Sequence, residues 1–131
     1  GIREITPLIC ENSLRKSINY DRCKKIITSS LKQSLQYHLP NLNKAISFKD
    51  FILKNNNGMI AHCSEGEKIT ISKALKKVKN KVIIIGPEGD FSLDEINFAK
   101  EYSYNEVTLG SNRLRTETAA IVACSLMLAS E

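Results

Sequence analysis

Four consecutive β-branched residues, Val82-Ile83-Ile84-Ile85, stand between Lys81 and Gly86. A short run with no polar alternation is the pattern of a strand covered on both faces, as in a parallel sheet. Parallel neighbours need crossover connections, so helices must alternate with strands along such a chain. The remaining sequence supplies that alternation. Glu4 to Cys10, Met59 to Cys63 and Glu106 to Leu109 read as further strands. Cys23, Ile26, Ile27, Leu31 and Leu35 recur at helical spacing from Asp21 to about Leu35, with Asn19 or Asp21 as cap and Pro40 beyond. Ser47 with Asp50 opens a short helix over Phe48 to Lys54, and Asn55-Asn56-Asn57-Gly58 is a turn. The polar loop Ser64-Glu65-Gly66-Glu67 leads to a short basic helix from Ser72 to Val78. Ser92-Leu93-Asp94-Glu95 is a capping box that starts a helix running to about Tyr102, and Thr116 to Leu128 forms a last helix. The expectation is an α/β domain with a mostly parallel sheet.

At 131 residues the chain is one domain, large enough to bury roughly two-thirds of its unfolded surface without disulfides or metals. It has no repeat, no low-complexity stretch and no interior linker. No apolar run approaches about 18 residues, which excludes a helical membrane span. Arg3 and Glu4 interrupt any signal-like stretch at the start. Cys10, Cys23, Cys63 and Cys124 are scattered, without a Cys-x-x-Cys pair or a His at ligand spacing. They read as free buried thiols in a reducing cytoplasm, and no metal site is expected.

Charge is unevenly spread. Residues 1–81 hold 16 Lys and Arg against 6 Asp and Glu, whereas residues 82–131 hold 3 against 8. Lys68, Lys73, Lys76, Lys77, Lys79 and Lys81 form a run with no acid among them. Such a field suits a polyanion, nucleic acid first, or else is a solvated helix face.

Two glycine-bearing loops follow two of the predicted strands: Ile85-Gly86-Pro87-Glu88-Gly89-Asp90-Phe91-Ser92 and Leu109-Gly110-Ser111-Asn112-Arg113-Leu114-Arg115. Ligands of open α/β sheets bind outside the carboxyl ends of strands, where such loops converge. Neither loop is a Gly-x-Gly-x-x-Gly turn or a P-loop. With Glu88 and Asp90 present, a multiply charged anion would be repelled. A ligand with an adenine-like ring and a cationic or zwitterionic part fits better.

These two loops carry a resemblance. Ile85-Gly86-Pro87-Glu88-Gly89, Phe91-Ser92, Glu95-Ile96, then Leu109-Gly110 and Leu114-Arg115-Thr116-Glu117-Thr118-Ala119, resemble the ribosomal RNA small subunit methyltransferase E family. These are 16S ribosomal RNA uridine-N3 methyltransferases of the SPOUT superfamily. Ile5-Thr6-Pro7-Leu8, Ser13 with Arg15, Lys32-Gln33-Ser34 and Leu39-Pro40 extend the likeness over nearly the whole chain. The resemblance implies a SPOUT-type α/β fold: helices on both faces of a mostly parallel sheet, with a C-terminal trefoil knot. It implies S-adenosylmethionine held largely by backbone groups of Ile85, Gly86, Pro87, Glu88, Gly89, Leu109, Gly110, Asn112, Leu114 and Arg115, with His62 bordering the pocket. It also implies a cytoplasmic homodimer acting on ribosomal RNA of the 30S subunit, with no membrane and no metal involved. The family often has Gly in place of Asp90 and Arg-Ile in place of Asn112-Arg113. Its N-terminal PUA-like RNA-binding barrel has no counterpart here, so residues 1–131 are expected to be the methyltransferase domain alone.

Methyl transfer to a uridine nitrogen needs N3 in its ionised form, which a cation or N–H donors at the flanking carbonyls would favour. Arg115 and Arg113 are the available cations. Glu117 is placed to accept the proton or to orient an arginine, and Thr116-Glu117 is equally a helix-capping arrangement. Arg15, Lys16, Lys24, Lys25 and Lys32 are the candidates for RNA-backbone contact, each otherwise a solvated side chain. Two competing readings stand beside the enzyme: a non-catalytic RNA-binding or ribosome-assembly module, and a SPOUT methyltransferase acting on another RNA.

Overall fold

A computed structural model describes residues 1–130. Strands β5 (Met59–Ala61), β6 (Ile69–Thr70), β7 (Ile83–Ile85) and β8 (Asn105–Thr108) form a four-stranded sheet in the order β6-β8-β5-β7, parallel at every pairing. The N-terminal part adds two small parallel pairs: β1 (Glu4–Ile5) with β3 (Asn41–Leu42), and β2 (Leu8–Ile9) with β4 (Ile46–Ser47). The continuous strand expected from Glu4 to Cys10 is therefore split at Thr6-Pro7. Pro7 has no N–H to give a ladder, and its carbonyl accepts from Ile46 N instead (3.1 Å).

Side chains of the main sheet alternate between two cores. Ile60 and Ile84 point to one face, where helix α2 (Phe48–Lys54) brings Phe48 and Ile52 and helix α4 (Leu93–Glu101) brings Ile96 and Ala99. Met59, Ala61 and Val107 point to the other, covered by Ile71 and Ala74 of α3 (Ile71–Leu75) and Ala123 of α5 (Thr116–Ala129). The β-branched run at 82–85 is thus covered on both faces as expected, although β7 is an edge strand paired to β5 alone among the described residues. Helix α1 (Tyr20–Gln33) starts at Asn19, whose Oδ1 accepts from Arg22 N. It buries no residue, and Ile26 in its apolar stripe is 55% exposed.

The capping box at Ser92 forms as its residues dictate: Ser92 Oγ accepts from Glu95 N, and Glu95 Oε2 accepts from Ser92 N. The second oxygen of that buried Glu95 accepts from Glu11 N at 2.9 Å, which pins the segment after β2 beside the loop that precedes α4.

Candidate active site

The carboxyl ends of β5, β7 and β8 open into one cavity of about 800 Å³. Its walls are the end of β5 from Ala61 to Cys63, the loop from Ile85 to Glu88 with Asp90, and the loop from Thr108 to Arg115. Thr116, Glu117 and Ala119 of the first turn of α5 complete it. The two loops predicted to converge do so, and Thr116 Oγ1 donates to Gly86 O at 3.0 Å to fasten one to the other. Thr116 is therefore not a helix cap. The N-cap position is Arg115, whose side chain offers no acceptor and makes no capping hydrogen bond to the first turn of α5.

Ten of the eleven expected pocket residues line this space: His62, Ile85, Gly86, Pro87, Glu88, Leu109, Gly110, Asn112, Leu114 and Arg115. Gly89 does not. It faces away, against Asn12, whose Nδ2 donates to Gly89 O (3.2 Å) and Asp90 O (3.1 Å); a Cβ on Gly89 would lie 2.9 Å from Asn12 Cβ. That close approach favours glycine at this position. Cys63, Lys68, Asp90 and Ser111 are lining residues that the sequence did not single out as ligand contacts. Lys68 Nζ donates to His62 O and Ser64 O, closing the turn after β5.

His62 presents mainly backbone to the cavity, because its side chain is only 1% exposed. Its Nε2–H donates to Glu106 Oε1 at 3.0 Å, and Glu106 Oε2 pairs with Lys100 Nζ at 3.0 Å. The Nδ1 atom is buried without a partner among the described residues. Burial, with Lys68 nearby, holds the imidazole below its usual pKa of 6.5 despite Glu106. Burial pushes Glu106 upward, but the hydrogen bonds from Lys100 and His62 outweigh it and leave the carboxyl below its usual 4.5. Both shifts act in the same sense. The unfolded chain takes up His62's proton first as pH falls below about 6.5, and Glu106's native advantage is lost further down, through its lowered pKa. Thermal stability is therefore expected to be level between about pH 7 and 8 and to fall below about pH 6.5. A melting temperature that rises between pH 7 and 5.5 would contradict this pairing.

The reactive candidates Arg113, Arg115 and Glu117 are exposed at the cavity, and no ion pair among the described residues engages either arginine. Arg15, Lys16, Lys24, Lys25 and Lys32 are all exposed and lie outside the cavity, Lys24, Lys25 and Lys32 within α1 and Arg15 and Lys16 on the segment before it. Cys63 is exposed, against the expectation of buried thiols, whereas burial and the Glu95 charge push Cys10 up to about 12.

The family profile described as an RNA methyltransferase domain matches residues 1–128. The chain belongs to this family. Ribosomal RNA small subunit methyltransferase E of Rickettsia conorii is 39% identical over 94% of this chain and 52% of its own length. Among solved structures, a probable rRNA-methyltransferase from Porphyromonas gingivalis superposes with a TM-score of 0.89 at 33% identity, over 99% of this chain and 57% of that one. A ribosomal RNA small subunit methyltransferase E from Neisseria gonorrhoeae, bound to S-adenosyl methionine, gives 0.82 at 27% identity, over 98% and 56%. The chain thus spans about half the length of the curated relatives it matches.

Proposed function

We propose that residues 1–131 form the methyltransferase domain of an enzyme that methylates N3 of a uridine in 16S ribosomal RNA, with S-adenosylmethionine as methyl donor. The observation that carries this reading is the convergence of the 85–90 and 108–117 loops on one cavity, in a chain similar to a family member bound to that cofactor. The cavity suits the ligand. Its volume is in the usual cofactor range, Ile85, Leu109 and Leu114 offer apolar walls to a purine, and Glu88 offers negative charge to a cationic group.

The cofactor, when bound, supplies an electrophilic methyl on a sulfonium. Residues of the domain have three tasks. The loop backbone orients the donor; Arg113 and Arg115 favour ionised N3 by compensating charge at the flanking carbonyl oxygens; Glu117 takes the N3 proton or orients an arginine. The basic stretch around Arg15, Lys16, Lys24, Lys25 and Lys32 contacts RNA phosphates without reading sequence. The fold reading includes a C-terminal trefoil knot, and the site of action is the cytoplasm.

The domain works as a homodimer in this reading. Helix α5 is apolar nearly all round, and Ile121 (68% exposed) and Leu128 (49%) lie uncovered. Ile121→Asp is expected to shift the protein from dimer to monomer in sedimentation without loss of helix content. Unchanged sedimentation at micromolar concentration would remove this face from the interface. The function itself is tested by incubating the full-length enzyme with 30S subunits and methyl-labelled cofactor. Label at N3 of one uridine is expected; label on a ribose or on no nucleotide contradicts the proposal.

A further inference from the structure

Asp90 is half-buried and sits at φ +61, a left-handed conformation that Asp visits more readily than most residues with a Cβ and glycine most readily of all. Both oxygens of its side chain are engaged by backbone. Oδ1 accepts from Phe91 N at 2.9 Å, and Oδ2 accepts from Cys63 N at 2.8 Å, joining segments 27 residues apart. Its own N–H donates to Pro87 O at 2.8 Å, and its carbonyl accepts from Asn12 Nδ2. Gly86 backs directly onto it, since a Cβ there would lie 2.8 Å from Asp90 Oδ1.

Both ends of the long connection, Cys63 and Asp90, line the cavity, as do Gly86, Pro87 and Glu88 inside the turn it closes. The carboxylate therefore straps one pocket wall to the end of β5. We propose that Asp90 is a positioning residue: through this strap it presets the Gly86-Pro87-Glu88 backbone in its ligand-binding shape before any ligand arrives. The inference rests on the reading of this cavity as the cofactor site and adds to it a residue that acts through the loop. Charge-assisted hydrogen bonds hold a loop more firmly than neutral ones, and a preset loop loses less freedom on binding.

The conformation at Asp90 makes the test selective. Glycine adopts φ +61 at no steric cost, so Asp90→Gly removes the strap while relieving backbone strain. Its melting temperature is expected to stay close to wild type. Its affinity for S-adenosylmethionine is expected to fall about tenfold, the loss appearing as a less favourable binding entropy. Amide hydrogen exchange from Gly86 to Phe91 should quicken. Asp90→Asn tolerates the same φ and keeps one acceptor, so it should fall between the two. Wild-type affinity and exchange in Asp90→Gly would overturn the proposal, as would an affinity loss that merely tracks a lowered melting temperature. If wild type itself fails to bind the cofactor, the cofactor reading falls. Exchange at Gly86 to Phe91 then decides the strap alone: faster exchange in Asp90→Gly supports it, and unchanged exchange overturns it.

Discussion

Gly110→Val is expected to weaken binding of S-adenosylmethionine by about one to two orders of magnitude while leaving the fold in place. Gly110 has φ +136, a region that residues with a Cβ rarely occupy, and nothing lies within 4 Å of the position a Cβ would take. The cost is thus backbone strain rather than collision, about 1–3 kcal/mol for a residue held in such a conformation. The residue is exposed, so the free protein escapes the strain by turning the loop. That escape breaks the small bridge in which Thr108 Oγ1 accepts from Gly110 N (3.2 Å) and donates to Gly110 O (3.0 Å). Binding must then restore the strained loop, and about 1–3 kcal/mol corresponds to roughly 5–150-fold in affinity. Unchanged affinity in a calorimetric titration would take this loop out of the site.

The largest effect on stability is expected from Ile60→Ala. Ile60 is fully buried in β5, one of the two central strands, and packs in the core with Ile52 and Ile84 on the face covered by α2 and α4. Removing its buried methyl groups leaves a cavity between a sheet and two helices that cannot close over it, a loss of about 3–5 kcal/mol. Against a total of about 5–15 kcal/mol for a domain, that is roughly a fifth or more. Urea unfolding should show the midpoint falling with little change in slope. Leu14→Ala, at a site 81% exposed, should stay within about 0.5 kcal/mol of wild type. Equal midpoints for the two variants would contradict the assigned core.

Much of this architecture is written locally. Ser47 and Ser92 each place an acceptor three residues before the N–H it caps, so both helix starts could be read from adjacent residues. The 82–85 run fixes a strand covered on both faces, because no polar residue marks a solvent side. The strands β3, β4 and β6 were not legible, since two residues carry no periodicity. The pocket loops were legible as glycine-bearing turns after strands, and the family resemblance sharpened them. Gly89 has a partner that adjacent residues do not announce: Asn12 is 77 residues away, and only the fold brings the two together. The same holds for the chain from His62 through Glu106 to Lys100 and for Asp90 on Cys63, whose partners meet only when β5, β8 and the loop before α4 assemble.

The central claim, that the cavity at the ends of β5, β7 and β8 is a cofactor site, is tested most directly by titration calorimetry of this chain with S-adenosylmethionine, with S-adenosylhomocysteine alongside. The account predicts one site per chain with micromolar-range affinity for both ligands, weakened by Gly110→Val. Absence of binding by either ligand at millimolar concentration, in a chain shown to be folded, would contradict it.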